Sequence, residues 1–124
     1  MPEAEQFLNG FNVKKGMKIG GYTLMSVVAI EQSVVRWNRY SYNITLTFSW
    51  NGGRRQSFND MDKLFRDFYE YVKGERIIRT NSGRPYLCDF GEYPLEYNHT
   101  ENEVIIKYLG NAVRVKESLA ANYI

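Results

Sequence analysis

Residues 40–50, which read YSYNITLTFSW, contain the clearest structural pattern of the chain. Large apolar or aromatic side chains occupy the even positions, and small polar ones occupy the odd positions from Ser41 to Ser49. Because successive side chains of a strand point to opposite faces, this alternation predicts a strand with one face in the core and one towards solvent. The same parity places Trp37 and Arg39 on the polar face.

A turn and an amphipathic helix are predicted immediately after this strand. Asn51-Gly52-Gly53 tolerates positive φ, so we expect a hairpin into a short strand at 54–58, RRQSF. Asn59 is a suitable N-cap, and Gly74 can end the helix in a left-handed conformation, which gives a helix at about 60–73. Its apolar positions recur at helical spacing and should pack on the even positions of the strand: Met61, Leu64, Phe65, Phe68 and Val72.

The chain before Tyr40 predicts one further strand. The segment 22–31, YTLMSVVAIE, is a continuous apolar run rich in β-branched residues, which is typical of a central strand covered on both faces. Residues 3–8 favour a helical turn, and a basic loop follows at 14–21. We expect residues 1–18 to form a loosely attached N-terminal arm.

Two hairpins are predicted after the helix. The first pairs 76–80 with 85–90 around Asn81-Ser82-Gly83, and the second pairs 103–109 with 112–116 around Gly110-Asn111. Between them residues 91–102 are expected to be irregular because Pro94 interrupts any central strand. With the flanking acids Asp89 and Glu103 this segment forms what we call the acidic strap, residues 89–103.

Together these elements predict one α+β domain over residues 1–124, in the order βββα-ββ-ββ. A mostly antiparallel sheet of about five to seven strands would pack against one main helix at about 60–73. The length of 124 residues suits a single hydrophobic core. The longest apolar runs are far shorter than the ~20 residues of a membrane span, and the N-terminus lacks the pattern of a secretion signal, so we expect a cytoplasmic protein without a membrane partner.

Charge is unevenly distributed although the formal net charge is only +2. The segment 32–58 carries four arginines and no acid, whereas 89–103 carries five acids and no lysine or arginine. A small net charge does not by itself indicate nucleic-acid binding. The basic segment contains the candidate binding residues.

Catalytic and metal chemistry have few candidate residues. Cys88 is the only cysteine and His99 the only histidine, so these two with Asp89 are the one nucleophile and base set. We interpret Cys88 as a packed strand residue and predict no catalytic residues. The strap carboxylates of Asp89, Glu92 and Glu96 could offer oxygen ligands to a metal, but solvated charge is the favoured interpretation, and no metal is expected. No phosphate-binding glycine motif occurs, so no cofactor is expected.

The remaining candidates form a basic, aromatic binding surface. Adjacent strand residues point to opposite faces, so at most one of Arg54 and Arg55 can join Trp37 and Arg39. Tryptophan and arginine are typical anchors of protein interfaces, and they also suit stacking on single-stranded nucleic acid. Charges on an edge hairpin can instead serve only to discourage aggregation.

We expect a small non-enzymatic accessory or inhibitory binding protein that acts on a protein partner through this hairpin. Single-stranded nucleic-acid binding is the first alternative, and a metal-free ribonuclease that works through arginine, lysine and tyrosine is the second. The oligomeric state stays open.

Overall fold

The computed structural model describes residues 2–34, 39–53 and 58–123. It is an α+β fold in which a seven-stranded antiparallel sheet packs against one main helix, as predicted. The elements in chain order are α1 (Ala4–Gly10), β1 (Lys18–Ile19), β2 (Tyr22–Val34), β3 (Arg39–Trp50), α2 (Phe58–Val72), β4 (Arg76–Arg79), β5 (Pro85–Asp89), β6 (Glu96–His99), β7 (Glu103–Arg114) and α3 (Glu117–Ala120), followed by a 3₁₀ turn at Ala121–Tyr123.

The strands are ordered β1-β2-β3-β7-β5-β4, and β6 pairs with β7 off this path. On one side β7 pairs with β3 along nearly its whole length. On the other side it pairs first with β6, through Val104 to Lys107, and then with β5, through Asn111 to Arg114. Strand β7 therefore joins the two halves of the sheet.

The alternation predicted for β3 is confirmed. Tyr42, Ile44, Leu46 and Phe48 are buried, and the odd positions from Ser41 to Ser49 are half-exposed. The odd positions line a sheet surface that no described helix covers, which we call the open face. The even positions line the opposite surface, which we call the core face.

The prediction that β2 is central and covered on both faces is wrong. Strand β1 pairs only with Tyr22 and Thr23, so most of β2 lies at the edge of the sheet. Met25, at a register shift, is 48% exposed, and Val28 and Ile30 on the open face are 50% and 61% exposed. The continuous apolar run suggested burial on both faces, but the apolar side chains on the open face point into solvent because no described element packs on them.

Helix α2 buries the predicted face, since Met61, Leu64, Phe68 and Val72 are all buried. Phe65 is only partly buried. The ring of Phe68 lies 5.7 Å from that of Phe48, so the helix packs on the core face of β3.

The predicted ends of α2 need one correction. The helix begins at Phe58, so Asn59 lies in its first turn and is not the N-cap, and Phe58 is not part of a strand. Acceptor side chains and Asp60 remain favourable there because the first backbone N–H groups of a helix lack carbonyl partners. At the other end Gly74 adopts φ +92°, the left-handed conformation predicted for it.

The N-terminal segment packs into the core, although residues 1–18 were expected to be a loose arm. Phe7 and Phe11 are fully buried and Val13 is 3% exposed. The ring of Phe7 lies 4.6 Å from that of Tyr42, whose hydroxyl donates a hydrogen bond to the carbonyl of Pro2. These contacts attach α1 to the core face of the sheet.

The hairpin predicted around Gly110-Asn111 does not exist. Residues 103–114 form the single strand β7, and Gly110 lies inside it, opposite Tyr42 of β3. A Cβ atom at Gly110 would lie 2.5 Å from Cζ of Phe7, so glycine is needed for the close approach of α1 rather than for a turn.

The first predicted hairpin is confirmed, because β4 and β5 pair from Arg76–Cys88 to Arg79–Pro85. The strap is not irregular throughout, since β6 pairs its residues 96–99 with β7. All four side chains of β6 are exposed, which suits a short strand at the sheet edge.

Candidate functional site

The β2–β3 hairpin positions one of the four predicted binding residues within the described chain. Arg39 begins β3, is exposed, and is paired with Val34 of β2 and Val113 of β7. Trp37, Arg54 and Arg55 lie outside the described residues.

The described residues that flank these positions lie at opposite ends of β3. Arg39 is the first residue of the strand, and Gly53, the residue before Arg54, follows shortly after Trp50 at the other end. A strand rises about 3.4 Å per residue, so Arg39 and Trp50 are separated by about 37 Å of strand. Only a partner that extends along the hairpin could contact both ends.

The outer edge of β2 is the most exposed apolar feature of this hairpin. Two backbone hydrogen bonds join Leu24 to Gly16 and Met17, at 2.7 and 2.9 Å. Beyond Leu24, no strand among the described residues pairs with the outer edge of β2. The backbone N–H and C=O groups of alternate residues therefore face outwards next to Val28 and Ile30.

A polar ladder runs along the open face beside this edge. The odd positions of β3 are hydroxyl or amide side chains, namely Ser41, Asn43, Thr45, Thr47 and Ser49. The apolar side chains of β2 and the ladder lie on the same face because Val28 pairs with Thr45 and Ile30 with Asn43. Lys107 adds a cation on the far side of the ladder, where it lies 3.4 Å from Glu96.

The structure does not bring Cys88 and His99 together. Cys88 is fully buried opposite Ala112, whereas His99 is exposed opposite Val104. These two register positions, Ala112 and Val104, are eight residues apart along β7, which is about 27 Å of strand. Burial raises the pKa of the Cys88 thiol to about 12, and the charge of Asp89 contributes to the rise. The thiol is therefore protonated at neutral pH and is a poor nucleophile.

The strap carboxylates are also dispersed. Oδ1 of Asp89 accepts hydrogen bonds from the N–H of Gly91 at 3.1 Å and the side-chain amide of Asn111 at 3.3 Å. Glu96 is engaged with Lys107. In the part of the chain that the structure describes, no three His, Cys, Asp or Glu side chains are close enough together to hold a metal ion.

One site was missed by the sequence analysis. A shallow pocket of about 290 Å³ lies between the end of α2 and the start of the strap, and it is lined by Tyr69, Lys73, Gly74, Glu75, Asp89, Phe90, Gly91 and Glu92. Beside it the rings of Tyr69 and Tyr93 are parallel within 6°, with their centroids 6.5 Å apart. The alternation of Tyr93, Leu95 and Tyr97 within the strap was the available signal, because it places large side chains on one side of an extended segment.

Comparison of the chain with protein-family models, with curated proteins and with solved structures found no match. Among the helices that the structure describes, none combines the length and the apolar composition needed to cross a membrane.

Proposed function

We propose that this chain is a small non-enzymatic binding protein, of accessory or inhibitory type, that acts on a protein partner through its β2–β3 hairpin. The observation that carries the proposal is the outer edge of β2, which beyond Leu24 lacks a partner strand among the described residues and exposes Val28 and Ile30. An extended segment of a partner can add to such an edge, because backbone hydrogen bonds supply affinity and alternate side chains supply selectivity.

The composition of this edge favours binding of a partner strand, because the edge lacks the residues that usually prevent such pairing. Sheet edges are usually protected by lysine, proline or inward-pointing charge. Residues 26–34 contain one charged side chain, Glu31, and its carboxylate accepts a hydrogen bond of 2.7 Å from the backbone N–H of Ala4. That contact directs the charge to the start of α1, so it does little to discourage an added strand.

The predicted hairpin residues complete the proposal. Arg39 is exposed at the start of β3 and can interact with the rim of a bound partner. Trp37, Arg54 and Arg55 stay in the proposal on the strength of the sequence, with Trp37 as the anchor because desolvated tryptophans contribute most to interfaces. Under this proposal Trp37→Ala costs about 2 kcal/mol of binding free energy or more, while Arg39→Ala mainly slows association.

The test is a pull-down from native lysate with and without nuclease, using the wild type and two variants. Ile30→Lys places a charge on the β2 edge, and Leu119→Lys is the matched control at an exposed position of α3. We expect a partner protein that survives nuclease treatment, is retained by the control and is lost with Ile30→Lys. Retention by both variants would exclude the β2 edge as the binding surface.

Single-stranded nucleic acid is the second candidate, and the polar ladder of β3 favours it. Five consecutive open-face positions carry hydrogen-bonding side chains without an acid, and the row ends at the exposed Arg39. Titration with single-stranded oligonucleotides at low and physiological salt distinguishes the candidates. Nucleic-acid binding must weaken steeply with salt, and Arg39→Ala must lower the slope by about one unit. Tight, sequence-tolerant binding at physiological salt would reverse the order of the two candidates.

A further inference from the structure

We infer that the pocket at the end of α2 binds the guanidinium group of an arginine side chain presented by another polypeptide. The inference concerns a surface separate from the β2 edge, and it does not require that edge to bind anything.

The charges around the pocket favour a cation. Three carboxylates line it, those of Glu75, Asp89 and Glu92. The one cation in the lining, Lys73, is engaged by Glu70 at 2.6 Å, and that hydrogen bond raises the pKa of Lys73. The pocket therefore carries an excess of negative charge that its own lysine does not neutralise.

The carboxylates keep acceptor capacity for a ligand. Oε2 of Glu75 accepts a hydrogen bond of 3.0 Å from the hydroxyl of Tyr123, and Oδ1 of Asp89 accepts from Gly91 and Asn111. No ion pair joins Glu75, Asp89 or Glu92 to another residue of the described segments. A carboxylate has about four lone-pair sites, so Glu75 and Asp89 can each accept further hydrogen bonds.

The size and the rings select one kind of cation. At about 290 Å³ the pocket is smaller than those of most drug-sized ligands, which suits a single side chain. Among the described residues no cluster of three or more His, Cys, Asp or Glu side chains is placed to hold a metal ion, so the three carboxylates do not form a metal site. Tyr69 lines the pocket and Tyr93, which is 78% exposed, lies parallel to it. A planar guanidinium can stack on a tyrosine face and offers five N–H donors to carboxylates, whereas an ammonium has three donors and no planar face to stack.

The second polypeptide is favoured as the source of the arginine because the pocket opens beside exposed apolar surface. Leu95 and Tyr97 follow Tyr93 in the strap and are 65% and 55% exposed. A neighbouring side chain of the same partner segment would be buried there, whereas a free amino acid would leave this surface in water.

The experiment is a titration of the ¹⁵N-labelled full chain followed by amide chemical shifts. The probes are N-acetyl-arginine amide, its neutral counterpart N-acetyl-citrulline amide, and free L-arginine. A single-residue probe in such a site should bind with a Kd on the order of 1 mM. We expect saturable shifts at Gly74, Gly91 and Glu92 with the arginine amide and none with citrulline.

Matched variants define the site. Glu92→Gln and Tyr69→Ala should each weaken the arginine amide about fivefold or more, while Glu96→Gln and Tyr97→Ala, which lie outside the pocket, should leave it unchanged. Equal binding of citrulline, or no saturable shift at concentrations well above the expected Kd, would overturn the inference. Tighter binding of free L-arginine than of the blocked amide would overturn the assignment to a polypeptide. None of these outcomes depends on whether the β2 edge binds a partner.

Discussion

Replacing Gly110 by alanine should destabilise the protein by about 1 to 2 kcal/mol, because the new methyl group would collide with the ring of Phe7. An ideal Cβ at this position lies 2.5 Å from Cζ and 2.8 Å from Cε1 of Phe7, and 3.0 Å from Cδ1 of Ile44. Carbon atoms pack best at about 3.5 to 4.0 Å. Overpacking of this kind costs about 1 to 3 kcal/mol, and the loss of glycine flexibility in the unfolded chain offsets about 0.5 to 1 kcal/mol of it.

A double-mutant cycle isolates the contact with Phe7. Phe7→Ala alone should cost about 3 to 5 kcal/mol because the ring is fully buried. In that background the methyl group meets no ring, so adding Gly110→Ala should be neutral or stabilising by up to about 1 kcal/mol. If Phe7→Ala unfolds the protein, Phe7→Leu gives a milder background in which the cost of Gly110→Ala should still fall.

The assay is urea denaturation followed by intrinsic fluorescence, with the free energy of unfolding taken from the midpoint and slope. Gly83→Ala is the control, because Gly83 has φ +84° and nothing within 4 Å of an added Cβ. It should cost about 1 to 2 kcal/mol in both backgrounds. An equal cost of Gly110→Ala with and without the Phe7 ring would refute the packing of α1 on β7, and the hairpin interpretation of Gly110 would regain its place.

Four further outcomes follow from the core. Phe68→Ala should cost about 3 to 5 kcal/mol in urea denaturation, because its fully buried ring packs on three other aromatic rings. Phe65→Ala should cost less than Phe68→Ala, since Phe65 is only partly buried, and equal losses would show that the two positions are equally packed. Burial raises the pKa of both Cys88 and Tyr108 to about 12, from 9.0 and 10.0. The folded state thus retains protons that the unfolded chain releases. These two groups therefore add no pH dependence below about pH 8, and they should lower the free energy of unfolding as pH rises from 9 to 12; a flat free energy of unfolding through pH 11 would contradict this burial. A thiol reagent should modify Cys88 only after unfolding, and modification of the native protein near neutral pH would show that the thiol is accessible.

Local sequence patterns were sufficient to predict the elements in which buried and exposed positions alternate with a regular period. The alternation in β3 and the helical spacing in α2 each depend on one buried face, so periodicity identifies both the element and its orientation. The left-handed Gly74 likewise follows from the need to end a helix.

The sequence failed where distant contacts decide the role of a residue. Gly110 resembles a turn glycine locally, but its small size serves Phe7, a residue near the other end of the chain. The apolar run of β2 has the composition of a central strand, and only the order of strands shows that Val28 and Ile30 face solvent.

The two candidate sites also differ in whether local sequence or distant contacts define them. Composition alone made Arg39 a binding candidate, because a basic segment without acids is visible in the sequence, and its binding role stays a prediction. The sequence signal for the pocket beside Tyr69 was limited to the large side chains of the strap, since Glu75 lies in a different segment from Asp89 and Glu92 and only the fold brings the two segments together.

The position of β7 in the sheet bears on how the chain reaches its folded state. Every pairing between β3 and β7 joins residues more than about 50 positions apart, from Ser49–Glu103 to Arg39–Val113. Contacts of such wide separation close large loops before they gain stability, which slows folding. During synthesis Phe7 emerges long before β7, the strand whose Gly110 it contacts. Until β7 has been made, part of the apolar core face of β3 is exposed to water. We therefore expect nascent chains that end before residue 103 to remain unfolded and prone to aggregate, and the protein to fold only after residues 103–114 have left the ribosome.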